Sequence, residues 1–434
     1  MDPAIIGLLG IIVMVLFMLI GMPISFAMML VGFVGILTTL GPGAGFHLLA
    51  ANLWGNFANY GLSVIPLFVL MGEFAYRSGV TERMYKSAYT WCGRLPGGLA
   101  ATTILSCAGF GAICGSNSAT AATMSTIAMP EMKKRKYSPA LYTGSVAVGG
   151  TLGVVIPPSV VLIVIAIQTR QSVVDLFAAA LFPGILLVSL MLATVFLLCW
   201  WKPSYGPPGE RTSWVTKIKS LTGFFEVAVI FILVIGGLFA GLFTPTEAGA
   251  VGTVIALVLG LAQGHLGARE IIKALDETIR ISAMVMLLVV AAILFGRFLA
   301  ITRLPFTLAD MISSMSISTV WILVGILVIY TLGGMFMDAL GFLVVSIPVF
   351  FPLAMGLGFD PVWFSILLML ITTAGAVSLP VGVCAYIVSS FERDVEIQTV
   401  FRGVFFFIPA YVLCIAVLIA FPDIISTSLS LFSH

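Results

Sequence analysis

The sequence predicts an all-α polytopic membrane protein made of two related halves, each carrying an interrupted helical hairpin and a broken helix. Composition is the first reason: the chain is 60% hydrophobic and only 9% charged, against roughly 25% charged for an average soluble domain. Apolar runs on the order of 20 residues, enough to span about 30 Å of hydrocarbon, follow one another along the whole length. A soluble protein of this size could not cover so much apolar surface. The second reason is an internal repeat. A shift of 222 positions carries Gly111, Pro130, Pro139, Thr151, Gly153 and Pro158 onto Gly333, Pro352, Pro361, Thr373, Gly375 and Pro380 without a gap. Identity over that window is low, but the residues that recur are those that break, bend or closely pack helices. The third reason is the placement of Lys and Arg, which fixes how the spans are threaded.

Taken in order, spans are expected at about 4–20, 24–40, 61–76, 138–168, 176–201, 224–241, 246–263, 281–301, 362–390 and 403–421. The first stretch, Ala4 to Ile20, lacks a basic leader and a small-residue cleavage site, so it reads as a retained helix. Two further apolar pairs, 97–132 and 318–356, read as hairpins that enter and leave on one side. Segments 80–94 and 267–279 have one charged and one apolar face and are expected to lie along the membrane surface as amphipathic arms. Lys202 to Ser220, with Pro203, Gly206, Pro207, Pro208 and Gly209, is the longest polar stretch. It divides the chain into a first repeat at 1–201, a linker at 202–222 and a second repeat at 223–434, with scaffold helices over 4–76 and 224–301.

With this threading, 17 of the 20 basic residues fall on one face, among them Arg77, Lys133, Arg135, Lys202, Arg211, Lys273, Arg280 and Arg402. Only Arg170 and Arg303 fall opposite, and Arg297 lies within a span. The positive-inside rule makes the crowded face cytoplasmic and places both termini outside. The first hairpin then opens to the cytoplasm and the second to the outside, so the halves are inverted about an axis in the membrane plane. Matching interrupted helices in two inverted repeats point to a secondary transporter with its site at the membrane midplane.

The chemistry sits at the interruptions. Gly111 to Ser118 (GAICGSNS) breaks one apolar run with small and polar residues, and Gly149 to Ser159 (GGTLGVVIPPS) breaks the next. Pro157 and Pro158 remove two amide donors, and the glycines before them weaken the helix. Unwinding frees carbonyls, which hydrocarbon forbids unless they line a polar cavity or hold an ion. Carbonyl, hydroxyl and amide oxygens are hard neutral ligands suited to an alkali cation rather than to zinc or copper. The second half supplies Gly333 to Asp338 and Thr372 to Pro380, with Asp338 in register with Ser116. A carboxylate inside a membrane costs about 2.5–3.5 kcal/mol on insertion scales and is a functional hypothesis by default. It reads as an ion ligand, against a hydrogen-bonded helix cap. Ser116 and Asn117 read as ion or substrate contacts, against ordinary small-residue packing. Arg170 is open to two readings, an anchor for an anionic substrate or a solvated end charge. Glu73 and Arg297 occupy comparable places in the two halves and read as a structural or snorkelling pair rather than a site.

The G-S-N-S-A hairpin, the G-x-x-G-V-V-I-P-P-S break and the M-D-A-L-G-F hairpin together resemble the large membrane subunit of tripartite ATP-independent periplasmic (TRAP) transporters, a likeness covering essentially the whole chain. That resemblance implies the ion-transporter-superfamily fold, in which a transport domain of two hairpins and two broken helices moves against a scaffold as an elevator. It also implies Na⁺-driven uptake of an organic acid (sialic acid or a C4-dicarboxylate), a small four-helix membrane partner as a separate polypeptide, and a soluble periplasmic protein that delivers substrate. Carried onto this sequence, its Na⁺ sites fall on Ser116, Asn117, Gly150, Thr151 and Gly153 in the first half. In the second they fall on Asp338, Thr372, Thr373, Gly375 and Val377. Substrate is expected between the hairpin tips, near Ser116, Ser118, Pro157, Arg170 and Pro380. Two Na⁺ moving down a roughly 100 mV potential would each contribute about 2.3 kcal/mol.

Other classes fare worse. No lysine follows a glycine, so the phosphate-binding loop of an ATP-driven pump is lacking. A hydrolase would need a base near Ser116 or Ser118, yet His47, His265 and His434 all fall at or beyond the interface. The net charge of +2 is too small to suggest nucleic acid. The six cysteines are scattered without a C-x-x-C pair and read as small buried hydrophobes. A passive channel and a stand-alone symporter remain the nearest rivals.

Overall fold

The computed structural model describes residues 3–209, 212–314 and 318–432. Arg211 and His434, used in the charge and histidine arguments above, lie outside the described residues. Among those described, regular structure is helical throughout. Among the described residues, seven helices are long and apolar enough to cross a membrane singly, and two bent pairs pass the same test together.

The first half runs α1 (Pro3–Leu19), α2 (Ile24–Leu40), α3 (Pro42–Phe57), α4 (Val64–Arg77), α5 (Val80–Cys92), α6 (Gly98–Cys114), α7 (Asn117–Lys134), α8 (Pro139–Val155), α9 (Val160–Thr169) and α10 (Val173–Trp201). The linker carries α11 (Trp214–Ser220). The second half runs α12 (Thr222–Phe231), a π-helical turn into α13 (Gly237–Phe239), α14 (Pro245–Ala262), α15 (Ala268–Ile301), α16 (Leu304–Ser314), α17 (Thr319–Phe336) and α18 (Ala339–Gly356). It closes with α19 (Pro361–Gly375), α20 (Val383–Phe391), α21 (Ile397–Phe405), α22 (Ile408–Ala420) and α23 (Asp423–Phe432).

The 222-residue offset recurs in the structure. It carries both ends of α7 onto those of α18, and the cis bond Pro157–Pro158 onto the cis bond Leu379–Pro380. The hairpins are α6–α7 and α17–α18; the broken helices are α8–α9, bent by 42°, and α19–α20, parted by seven residues. Each break is written in sequence. Pro157 and Pro158 cannot donate to the carbonyls of Gly153 and Val154, so α8 stops, and Ser159 caps α9 by accepting from the Leu162 N–H at 3.4 Å.

Five elements differ from expectation. Residues 267–279 are not a separate arm but the opening turns of the 34-residue α15. No Gly or Pro lies between Ala268 and Phe295, and pairs such as Arg280–Asp276 (3.1 Å) support the join. The same offset matches that portion to α3, which the spans above omitted, and matches α5 to α16, also omitted. The last span begins earlier, at Ile397, and is interrupted at Phe406–Phe407 ahead of Pro409. A C-terminal helix, α23, follows it and packs on α10, with Ser428 Oγ hydrogen-bonded to the Ala178 carbonyl.

The arm α5 buries Val80, Met84, Tyr85 and Ala88 on one face. Arg83 on this helix makes a bidentate ion pair with the buried Glu226 of α12, at 3.2 and 2.7 Å. Gln263 Nε2 donates to the same carboxylate at 2.5 Å. Glu73 pairs with Arg77 one turn on at 3.1 Å, and Arg77 reaches Glu270 of α15 at 3.3 Å; Arg297 is exposed on α15. All six cysteines are free thiols.

Candidate functional site

The tip of the first hairpin is a two-residue break between α6 and α7. Ser116 takes an extended backbone and caps α7, its hydroxyl accepting from the Ala119 N–H at 3.4 Å. This tip lies against the end of α8. A Cβ on Gly153 would fall 2.6 Å from the Ser116 carbonyl oxygen, so only glycine permits the approach. Gly150, one turn earlier, faces Ala121 of the hairpin. Thr151 is fully buried, donates to the Val148 carbonyl at 2.6 Å and shares a hydrogen bond with the Tyr411 hydroxyl.

The second tip repeats the plan with a carboxylate. Met337 is extended, and Asp338 caps α18 by accepting from the Leu340 N–H at 3.2 Å. A Cβ on Gly375 would come 2.6 Å from the Thr331 carbonyl oxygen, so α19 meets α17 as closely as α8 meets the first hairpin. Thr372 and Thr373 donate to the carbonyls of Leu368 and Met369 at 2.6 and 2.5 Å, which leaves their oxygen lone pairs free to accept. Val377 is buried in the interrupted stretch, and the Gly382 N–H donates to the Met335 carbonyl at 3.1 Å, tying that stretch to the hairpin.

Both tips border one cavity of about 750 Å³. Ser116, Asn117 and Ser118 line it from the first hairpin, Asp338 and Leu340 from the second, and Val154, Val160 and Val161 from the first broken helix. Glu73 and Tyr76 of α4 with Ile281 of α15 complete the wall, and the exposed Glu277 of α15 and Ser390 and Phe391 of α20 mark the rim. Asn117 is 3% exposed, and neither its amide oxygen nor its amide nitrogen has a partner. An orphaned buried amide costs about 1–3 kcal/mol, so its retention calls for a ligand. Among the described residues, no Lys or Arg lines the cavity. The positive ends of the α7 and α18 dipoles meet there instead.

Three expected substrate contacts lie elsewhere. Pro157 is buried behind the break and Pro380 is exposed, and neither reaches the cavity wall. Arg170 caps the far end of α9, exposed, about 15 Å along the helix from Val160 at 1.5 Å per residue. Conversely, Tyr76, Glu277 and Ser390 were not singled out from the sequence. They lie on ordinary amphipathic or apolar runs, and only the packing of α4, α15 and α20 brings them to the hairpin tips.

The family model for the DctM component of tripartite ATP-independent periplasmic transporters matches residues 11–424. The C4-dicarboxylate TRAP transporter large permease protein DctM of Pseudomonas aeruginosa is 32% identical over 79% of this chain and 80% of its own length. The sialic acid TRAP transporter large permease protein SiaM of Vibrio cholerae is 30% identical over 93% of both. Among solved structures, the YdaH transporter of Alcanivorax borkumensis aligns with a TM-score of 0.65 over 98% of this chain and 100% of that one, at 16% identity, a likeness of fold. The chain is therefore a multi-pass membrane protein belonging to the large permease (DctM) family of the TRAP secondary transporters, which work with a periplasmic binding protein.

Proposed function

We propose that this chain is the large subunit of a Na⁺-coupled importer of an organic acid, of the sialic acid or C4-dicarboxylate kind. The observation that carries the reading is the pair of hairpin tips on one cavity, with the orphaned amide of Asn117 at one and the Asp338 carboxylate at the other. One Na⁺ sits against the first tip, held by oxygens of Ser116, Asn117, Gly150, Thr151 and Gly153. A second sits against the other, held by Asp338, Thr372, Thr373, Gly375 and Val377. Among these, Gly153 offers a carbonyl that Pro157 leaves without its helical donor, and Thr372 and Thr373 keep free lone pairs. The cations offset Asp338 and any charge on the passenger, whose carboxylate is met by the α7 and α18 N-termini and the Ser116 and Ser118 hydroxyls. The relatives' names support an acid: C4-dicarboxylate, sialic acid, 2,3-diketo-L-gulonate and isethionate all appear among them.

The hairpins and broken helices move together as a transport domain against a scaffold that includes α1, α2, α4, α14 and α15. With the basic face cytoplasmic and both termini periplasmic in a bacterial inner membrane, the rim at Glu277 and Ser390 faces the cytoplasm. The arrangement is then an inward-facing one. A small four-helix membrane subunit and a periplasmic binding protein complete the complex. The decisive experiment reconstitutes the complex in liposomes with binding proteins preloaded with individual acids. Uptake should require both the matching binding protein and an inward Na⁺ gradient. Equal uptake with choline replacing Na⁺ would refute the coupling, and uptake that persists without a binding protein would favour a stand-alone symporter.

A further inference from the structure

We propose that Tyr411, on a helix of the second half, is a positioning residue for the cation site of the first half, acting through Thr151. The inference rests on the Na⁺ reading above and adds a residue outside the expected ligand sets. Thr151 lies in the closing turns of α8, between the two glycines that face the first hairpin. A helical step of about 100° per residue turns its side chain away from that hairpin. The hydroxyl points instead at α22. Its proton goes to the Val148 carbonyl at 2.6 Å, so the bond with Tyr411 is donated by the phenol and accepted by Thr151 Oγ1. Both residues are sealed from solvent, Thr151 at 0% and Tyr411 at 1% exposure.

What this bond secures is the stretch with the fewest internal restraints. Beyond Thr151, Pro157 and Pro158 cannot donate to the carbonyls of Gly153 and Val154. The turn that presents those oxygens is therefore held from outside: by the first hairpin on the glycine face and by Tyr411 on the other. A carbonyl cage binds a hard cation well only if its oxygens are fixed beforehand. Among the described residues, the second half shows no such brace. Position 189, which the repeat pairs with 411, is Ser189, which is exposed and bonds to the Ile185 carbonyl of its own helix at 2.7 Å. Among the described residues, the hydroxyl of Thr373, the counterpart of Thr151, bonds only to the Met369 carbonyl.

The test needs no knowledge of the transported acid. The full-length protein in detergent is titrated with NaCl at constant ionic strength, with choline as the replacement, and its unfolding midpoint is followed. Tyr411→Phe should raise the Na⁺ concentration for half-maximal stabilisation about fivefold, the worth of one net hydrogen bond. Thr151→Val should raise it similarly, and the double variant no further than either single one. If Tyr411→Phe does not fold, Thr151→Val reads the same bond from its other end. A Tyr411→Phe protein that is less stable at every Na⁺ concentration, with an unmoved Na⁺ midpoint, would overturn the proposal while leaving the Na⁺ reading intact. So would fully additive single effects. A wild-type protein that Na⁺ does not stabilise would remove both.

Discussion

Lys133 and Glu392 join the two halves of the chain: the ammonium at the end of α7 lies 2.7 Å from the carboxylate just past α20, and 3.0 Å from Asp394. The pair ties the first hairpin to the second broken helix, so the elements bordering the cavity are cross-linked at one end. Lys133→Glu should lower the unfolding midpoint of the purified protein and reduce uptake, because three carboxylates then face one another. Glu392→Lys in the same chain should restore much of both. Failure of the swap to recover either measurement would show that the bridge does not hold the halves together.

The network around Glu226 makes a different prediction. This carboxylate is 7% exposed and is held by Arg83 and Gln263. Removing one member of a buried pair leaves an uncompensated charge and costs about 3 kcal/mol, with allowance for the partial exposure of Arg83. Arg83→Met should therefore destabilise the protein strongly, and Arg83→Met with Glu226→Leu should be clearly milder, since no charge is then stranded. Denaturation of the purified single and double variants distinguishes these outcomes. A double variant as unstable as the single one would show that the loss does not come from the stranded Glu226 charge.

The same residues show how far the sequence could be read. The tips were legible because proline, glycine and polar residues interrupt apolar runs at matched spacings; their capping of α7 and α18 was not, since the sequence favoured an ion ligand over a helix cap at Asp338 and a ligand contact at Ser116. Helix α3 was not legible. Its sequence holds Pro42, Gly43, Gly45 and Gly55, a loop-like composition that tertiary packing overrides. Nor was the unbroken α15, where a change from charged to apolar residues imitated a boundary that the backbone lacks. The cavity's far wall and the Thr151–Tyr411 bond depend on contacts between distant helices, for which a single sequence carries no signal.

The glycines at the two close approaches are expected to be irreplaceable for a steric reason. Gly153→Ala would place a methyl carbon 2.6 Å from the Ser116 carbonyl, and Gly375→Ala would do the same at the Thr331 carbonyl. Backbone cannot yield as a flexible side chain does, and overpacking of this sort costs about 1–3 kcal/mol. Each substitution should displace its own hairpin and weaken Na⁺ stabilisation about tenfold, the equivalent of 1.4 kcal/mol. Na⁺ titrations of the two variants at matched ionic strength would check this. An alanine at either position with unchanged Na⁺ response would show that the close approach is unrelated to the cation.

At the two tips, the Asn117 amide has no partner, and the Asp338 carboxylate accepts from the Leu340 N–H at the head of α18 while facing the cavity. Asn117→Ala removes the orphaned amide and with it a desolvation cost of about 1–3 kcal/mol. The substituted protein, measured in Na⁺-free buffer, should be no less stable than the original, whereas its Na⁺-dependent uptake should fall at least about tenfold. Gaining stability while losing transport is the mark of a group kept for binding, and a structural residue would lose both. Asp338→Ala should abolish Na⁺-dependent uptake with the three-component complex still assembled. A complex that still drives uptake from the Na⁺ gradient without the Asp338 carboxylate would remove this residue from the cation site and leave the second tip without its charged ligand.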